Sequence, residues 1–313
     1  MKSDNAIRMS FGTHSYVPDA RNASVLFNVN GAIVPREKAV VNVFDSGFML
    51  GDGVWEGLRV HNGKVAFLDD HMDRLAEGLA ALHIDLGISR DQLVARIHET
   101  LDANGMTDHV HIRLMVTRGL RSTPYQDPRV IVSPATIVIA PEFKQPDPAT
   151  AERALNLKSV ATRRGRPDVQ DPGLNSHSKI NCVTACIQGI EAGADEAIML
   201  DPHGFVATCN STHFFIVRKG EVWTSTGDYC LAGITRARVV DLCRANDIPV
   251  FERNFTLRHC YAADEAFTTG TFAGLAPVGT IDGRQIGSGT RGPIVERLQQ
   301  LYLALVNRDT QGA

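Results

Sequence analysis

The chain has 313 residues, 43% of them hydrophobic and 21% charged, with a net charge of −3. That balance is typical of a folded enzyme and excludes disordered, collagen-like and fibrous classes, while the length implies two domains of about 100–200 residues each. So small a net charge gives no field to recruit nucleic acid or an anionic membrane, and no apolar run reaches the roughly 18 residues of a membrane span.

Residues 1–24 are polar and aperiodic, and the strand-like segments Val25–Val29, Ala32–Val34 and Val40–Phe44 follow, rich in Val, Ile and Phe between turn residues. Helical periodicity comes next, over Asp69–Leu82 and Arg90–Asn104, with Asp69 and Ser89 as expected N-caps. A strand pair, His109–Thr117 and Thr136–Ala140, closes this half, and the proline-rich run Pro141 to Pro148 reads as a connection. The expected division is a smaller α/β domain over residues 1–141, a linker over 142–153 and a larger domain over 154–313.

The second half mixes strand Ala154–Thr162, helix Ile180–Ala192, strand Glu196–Asp201, a hairpin of Thr212–Val217 and Val222–Thr224 around Lys219-Gly220, and helix Thr235–Asn246. Strand Glu265–Thr268, a hairpin turning at Asp282-Gly283 and helix Pro293–Asn307 complete it. Without a strict βαβ rhythm, the expectation is an α+β fold with mixed sheets and flanking helices, not a doubly wound parallel sheet.

The start, Met1-Lys2-Ser3-Asp4-Asn5, holds no apolar stretch of the signal-peptide kind. The six cysteines (Cys182, Cys186, Cys209, Cys230, Cys243, Cys260) form no C-x-x-C pair, so reduced thiols in a cytoplasmic chain are expected. Cys182 and Cys186 lie one helical turn apart but lack further ligands at metal spacing, and no metal site is assigned.

Only seven lysines are present, which permits elimination. Lys2, Lys38, Lys64, Lys144 and Lys219 fall at the terminus, in loops or in turns and are expected to be solvated, and Lys158 sits in an alternating strand. Lys179 is placed differently: it ends the polar run Asn175-Ser176-His177-Ser178 and opens an apolar helix. Partial desolvation there would favour the neutral, nucleophilic amine that Schiff-base chemistry requires. Gly233-Ile234-Thr235-Arg236 offers backbone N–H groups and a hydroxyl at a helix start, suited to phosphate. Gly270-Thr271-Phe272-Ala273 is a second small-residue turn, and Glu56-Gly57-Leu58-Arg59 sets a guanidinium at the end of an apolar segment. An anionic cofactor and an imine are the chemistry these features suggest together.

The sequence resembles the fold-type IV pyridoxal-phosphate enzymes, or class IV aminotransferases, which include branched-chain and D-amino acid aminotransferases, (R)-selective amine transaminases and aminodeoxychorismate lyase. The likeness runs from about Leu26 to Leu303. It rests on Asp45-Ser46-Gly47-Phe48 with Gly51-Asp52-Gly53-Val54-Trp55-Glu56-Gly57-Leu58-Arg59, then Asp70-His71-Met72-Asp73-Arg74-Leu75, Leu231-Ala232-Gly233-Ile234-Thr235-Arg236, and Asp264-Glu265-Ala266-Phe267-Thr268-Thr269-Gly270-Thr271.

The resemblance implies the two-domain fold of D-amino acid aminotransferase, with pyridoxal 5'-phosphate held by the larger C-terminal domain. It implies that Lys179 forms the Schiff base, that Arg59, Gly233, Ile234, Thr235, Gly270 and Thr271 surround the phosphate, and that Leu231 lies against the pyridine ring. Relatives place a glutamate at the pyridine nitrogen where this chain has Thr208. A tyrosine near the cofactor's phenolic oxygen is replaced by Thr184. His111, Arg113, Arg121 and Phe272 are the expected substrate contacts, with His111 where a tyrosine is usual. Arg118 to Arg121 reads equally as a solvated loop and as a carboxylate clamp, and His71 reads as structural.

The implied activity is amino transfer from an amino acid or primary amine to a 2-oxo acid, in a homodimer without nucleic-acid or membrane partners. A lyase of the aminodeoxychorismate type, or a cofactor-binding protein with weak catalysis, are the alternatives.

Overall fold

The computed structural model describes residues Gly12 to Gln311; Lys2 lies outside them. Two compact units are interleaved along the chain. The smaller takes Asp19–Lys144, Leu174–Ile180 and the chain from Ala304, while the larger takes the chain up to Pro18, Gln145–Gly173 and Asn181–Leu303.

In the smaller unit six strands pair antiparallel throughout, in the order Ala32–Pro35, Leu26–Val29, Thr136–Phe143, Val110–Thr117, Gly53–His61 and Lys64–Val65. Successive residues of a strand face opposite sides. The alternation therefore sends Val54, Leu58 and Val60, with Ile112 and Leu114 of the neighbouring strand, into one core against helices Leu68–Ala81 and Arg90–Ala103. It sends Trp55, Gly57 and Arg59 to the other face, opposite Met115, Arg113 and His111. Ser89 caps its helix through a capping box with Gln92, as expected.

Four expectations change here. Val40–Phe44 is not a strand: Val40, Val41 and Val43 are exposed, and the Asn42 side chain turns the chain by accepting from the Phe44 N–H at 2.8 Å. Asp69 is not an N-cap; that position is Phe67, at φ 53, whose N–H is held by the Asp309 carboxylate at 2.7 Å, so the helix starts at Leu68. Lys144 is not solvated, its side chain being 19% exposed with Glu142 at 3.6 Å. The strand before it runs on through Phe143, where the prolines suggested an irregular connection.

The larger unit holds a mixed sheet in the order Val206–Cys209, Glu196–Leu200, Leu155–Ser159, Gly274–Ile281, Glu265–Gly270, His213–Arg218, Glu221–Thr224 and Val250–Glu252. Leu155–Ser159 is parallel to both its neighbours, and Val250–Glu252 to Glu221–Thr224. Glu196–Leu200 is buried at every residue, which is why it reads as an apolar run without alternation. Phe215 and Phe267 lie opposite each other with rings stacked at 4.8 Å, in a core that includes Val239 and Val240 of helix Ile234–Ala245. The second core, with Leu157, Ile198, Phe214 and Val278, fills another part of the unit. Lys219-Gly220 and Asp282-Gly283 turn their hairpins with both residues at positive φ, as in a type I′ turn. Among the described residues no helix is long and apolar enough to cross a membrane.

Candidate functional site

In the smaller unit the Lys179 segment is stitched to the first strand of the Gly51–Arg59 motif. The Trp55 N–H donates to Asn175 O at 2.9 Å and its indole N–H to Ser176 O at 3.1 Å, while Asn175 Nδ2 returns to Trp55 O at 2.6 Å. The His177 N–H donates to Gly53 O at 2.9 Å, and its ring Nε2, 3.1 Å from Val54 O, must carry the hydrogen because a carbonyl only accepts. Burial pushes the His177 pKa down, toward the neutral ring. This close approach explains Gly53, where a Cβ would sit 2.5 Å from Val116 O and 2.7 Å from the His177 ring. Lys179 is half-buried, with Nζ 5.4 Å from the Trp55 ring centroid.

Upstream, Asp45 caps the short helix Ser46–Leu50 by accepting from the Gly47 N–H at 2.8 Å and from Thr117 Oγ1 at 2.9 Å. Arg59 is 4% exposed, and its Nη1 donates to Lys144 O at 2.5 Å. Arg113 lays its guanidinium over the Trp55 ring at 3.5 Å, and no hydrogen bond or ion pair to it is found among the described residues. Desolvation lowers its pKa, opposed by the Glu56 charge. Trp55, Arg59, His111, Arg113 and Lys179 thus gather about one strand, Gly53–His61.

Arg121 does not belong to that group. It is 3% exposed and donates to Asp52 Oδ2 at 3.1 Å and to the carbonyls of Tyr125 and Asp127. Arg118 binds the same Asp52 through Nε at 2.7 Å. These arginines hold the loop to Asp52 and to the helix end at Leu82, so neither half of the even reading, solvated loop or carboxylate clamp, describes Arg121. His71 is structural: its Nδ1 lies 2.7 Å from Glu56 in the core.

In the larger unit Leu231, Gly233, Ile234 and Thr235, four of the expected cofactor residues, lie at the start of helix Ile234–Ala245. Gly233 is its N-cap, with no side chain to bond the first-turn N–H groups, which leaves these donors and the positive end of the helix for an anion. Thr235 is 4% exposed, its hydroxyl 3.5 Å from that of Tyr302. His213 supports the turn from beneath, its Nε2 donating to Leu231 O at 2.8 Å. A Cβ at Gly233 would collide with that ring, although φ −74 would admit any residue, so glycine answers to the ring and not to the backbone angle. His213 pairs with Thr269, whose buried hydroxyl finds no hydrogen-bond partner, and a Cβ at Gly270 would meet the Thr212 methyl at 3.4 Å.

Thr208 is buried, its hydroxyl 2.8 Å from Thr212 O. Thr271 sits in the turn after Gly270, and Phe272 beside it stacks on His14 with ring centroids 6.1 Å apart. Thr184 is exposed on helix Ile180–Glu191. Two contributors were not anticipated. Glu196 is buried, accepting from Thr13 and lying 2.5 Å from Thr212 Oγ1; a lone acid opening the apolar run Ala197-Ile198-Met199-Leu200 was its only sequence signal. The other is His213, read only as a strand residue. No group of three or more His, Cys, Asp or Glu suited to a metal occurs among the described residues.

The profile of the family described as amino-transferase class IV matches residues 53–281. A branched-chain-amino-acid aminotransferase-like protein 2 of Arabidopsis thaliana is 40% identical over 98% of this chain and 55% of its own length; the chain thus spans about half of that relative. A branched-chain-amino-acid aminotransferase of Pseudomonas aeruginosa is 30% identical over 90% of this chain and 93% of its own. Among solved structures, a T.th. branched-chain amino acid aminotransferase complexed with N-(5'-phosphopyridoxyl)-L-glutamate superposes with a TM-score of 0.81, at 28% identity, over 91% of this chain and 95% of that one.

Proposed function

Since this chain belongs to the class IV aminotransferases, we propose that it is a pyridoxal-phosphate-dependent aminotransferase carrying an amino group from an amino acid or primary amine to a 2-oxo acid. The observation that carries the reading is the stitched Lys179 segment, which presents a half-buried lysine next to an aromatic wall and a guanidinium that no described side chain pairs.

The residues fit the cofactor's chemistry. The uncapped helix start at Gly233, the buried Thr235 hydroxyl and the unpartnered Thr269 hydroxyl suit a phosphate. On this reading Ile234 and Thr235 give backbone and hydroxyl donors, Arg59, Gly270 and Thr271 complete the phosphate contacts, Leu231 covers a ring face, and Thr208 meets the ring nitrogen. When bound, pyridoxal phosphate supplies the electron sink for bonds at the substrate's α-carbon. Lys179 Nζ would hold the cofactor at rest and, once freed by the incoming amine, would take the proton from the donor's α-carbon and deliver it to the cofactor's C4′ carbon. Trp55 and the strap Asn175–Ser178 fix where that amine stands. Arg113, backed by Trp55, pairs with the substrate carboxylate, with His111 and Phe272 as further substrate contacts; Arg121 is left out because both its terminal nitrogens are engaged, Nη1 by two carbonyls and Nη2 by Asp52.

The test is a panel of L-amino acids, D-amino acids and 1-phenylethylamine enantiomers against pyruvate and 2-oxoglutarate. Amination of an acceptor is expected; pyruvate released from a single substrate without acceptor would put the lyase in its place. Within the panel, Arg113→Ala is expected to raise KM for amino acids about tenfold or more, the worth of a charge-assisted bond, while simple amines change little.

The active form is a homodimer on the same reading. Val183, Ile187 and Ile190 are 47%, 50% and 67% exposed on one face of helix Ile180–Glu191, an apolar stripe of the kind that marks an interface. Sedimentation should give a dimer, and Ile187→Asp should shift it toward monomer; a monomer that retains full turnover would remove the stripe from the argument. The six cysteines are free, four of them buried, which agrees with a reducing, cytoplasmic setting.

A further inference from the structure

The hydroxyl of Thr208 has its hydrogen already assigned. Thr208 is 5% exposed and lies opposite Met199 in the pair with Glu196–Leu200. Its Oγ1 is 2.8 Å from Thr212 O, which also accepts the Cys209 N–H at 2.9 Å. A carbonyl has no proton to give, so the threonine hydrogen is on this bond, and what remains on Oγ1 is lone pairs.

The acceptor is itself fixed from three sides. Thr212 Oγ1 reaches Glu196 Oε2 at 2.5 Å, and the other Glu196 oxygen accepts from Thr13. The next residue, His213, is tied to Leu231 O at 2.8 Å and is paired across the sheet with Thr269. The turn that locks the Thr208 hydrogen is thus continuous with the Leu231–Thr235 turn. The titratable groups around it are Glu196 on the adjacent strand, Cys209 and His213 on its own segment, and Asp195 beyond Glu196. Burial pushes Glu196 and the Cys209 thiol up, toward their neutral forms.

We propose that Thr208 meets the cofactor's ring nitrogen as a hydrogen-bond acceptor only, and so favours the protonated nitrogen, in the same sense as a carboxylate would but without its charge. A threonine whose hydrogen were free would act the opposite way, donating to the unprotonated nitrogen and favouring that form. The inference rests on the pyridoxal-phosphate reading above and adds the direction in which this chain tunes the ring.

The experiment is 15N NMR of the holoprotein reconstituted with pyridoxal phosphate labelled at the ring nitrogen, titrated across the neutral range for the wild type and for Thr208→Val. The midpoint of ring-nitrogen protonation is expected to fall by about one pH unit in the valine variant, the equivalent of one lost bond to the charged form. A midpoint that rises shows a donating hydroxyl, and an unchanged midpoint shows that Thr208 is not at the nitrogen; either overturns the proposal. Thr208→Ala serves if valine does not fold, and Thr208→Ser, which keeps the hydroxyl, is expected to hold the wild-type midpoint. Failure of the wild type to bind the labelled cofactor at Lys179, read by borohydride reduction and mass spectrometry, would instead overturn the functional reading beneath it.

Discussion

Lys179→Ala is expected to lower turnover by at least about 10²–10⁴-fold, the usual contribution of a positioned acid–base group, with the loss of covalent attachment added to it. Two jobs fall on one amine, holding the cofactor and moving the α-carbon proton, so Lys179→Arg should fail nearly as completely: the guanidinium stays protonated and does neither. The strap gives the variant a stable background. Its bonds to Gly53, Val54 and Trp55 come from Asn175, Ser176 and His177 and leave the lysine side chain out, so Lys179→Ala should fold and keep its Tm. Single-turnover mixing with an amino donor, followed by cofactor absorbance, measures the effect. A variant that still couples the cofactor to protein nitrogen would return Lys158 to consideration, although its Nζ is engaged 3.2 Å from Asp282.

Lys179 stands out in the sequence because lysines are few and its neighbours change from polar to apolar at that point. The strap was not: Asn175-Ser176-His177-Ser178 reads as a polar loop, and nothing local says that its carbonyls meet Trp55, some 120 residues earlier. Long-range pairing of a short segment carries no periodicity to find. Arg121 shows the opposite failure, since an arginine in a polar loop looks available until the structure places Asp52 beside it. Val40–Phe44 has strand composition, but its β-branched residues face solvent with no neighbouring strand, and composition alone does not supply a partner. The mixed α+β character followed from element order, because hairpin turns and helices both punctuate the chain with local signals, and the family's solved relatives share that fold. Thr208 illustrates an intermediate case: the residue type is plain in the sequence and the resemblance supplies its expected neighbour, whereas the polarity of its hydroxyl depends on a carbonyl four residues away that only the folded turn brings to it.

Glu56→Ala is expected to destabilise the smaller unit by about 3–5 kcal/mol, the cost of removing one partner from a buried ion pair. Strand alternation turns Glu56 away from Arg59 and into the core, where it is 0% exposed. Arg74 grips both of its oxygens, at 2.8 and 2.6 Å, and His71 Nδ1 lies 2.7 Å from one of them. Desolvation alone would raise the Glu56 pKa, but the hydrogen bonds from His71 and Arg74 outweigh it and hold the carboxyl below its ordinary 4.5. A group depressed in the folded state contributes its full stabilisation above the unfolded value and loses it as pH falls through the folded one. The deficit of the variant should therefore be constant above about 4.5 and shrink below it. Trp55 reports on this unit and Trp223 on the other, so urea unfolding in a Trp223→Phe background isolates the relevant transition. Adding Arg74→Met to Glu56→Ala removes the stranded guanidinium and should recover part of the loss, because an apolar side chain of similar length fills the space without a charge to desolvate. If the double variant is no more stable than the single one, the loss comes from packing around Leu58 and Met72 and not from the unpaired charge.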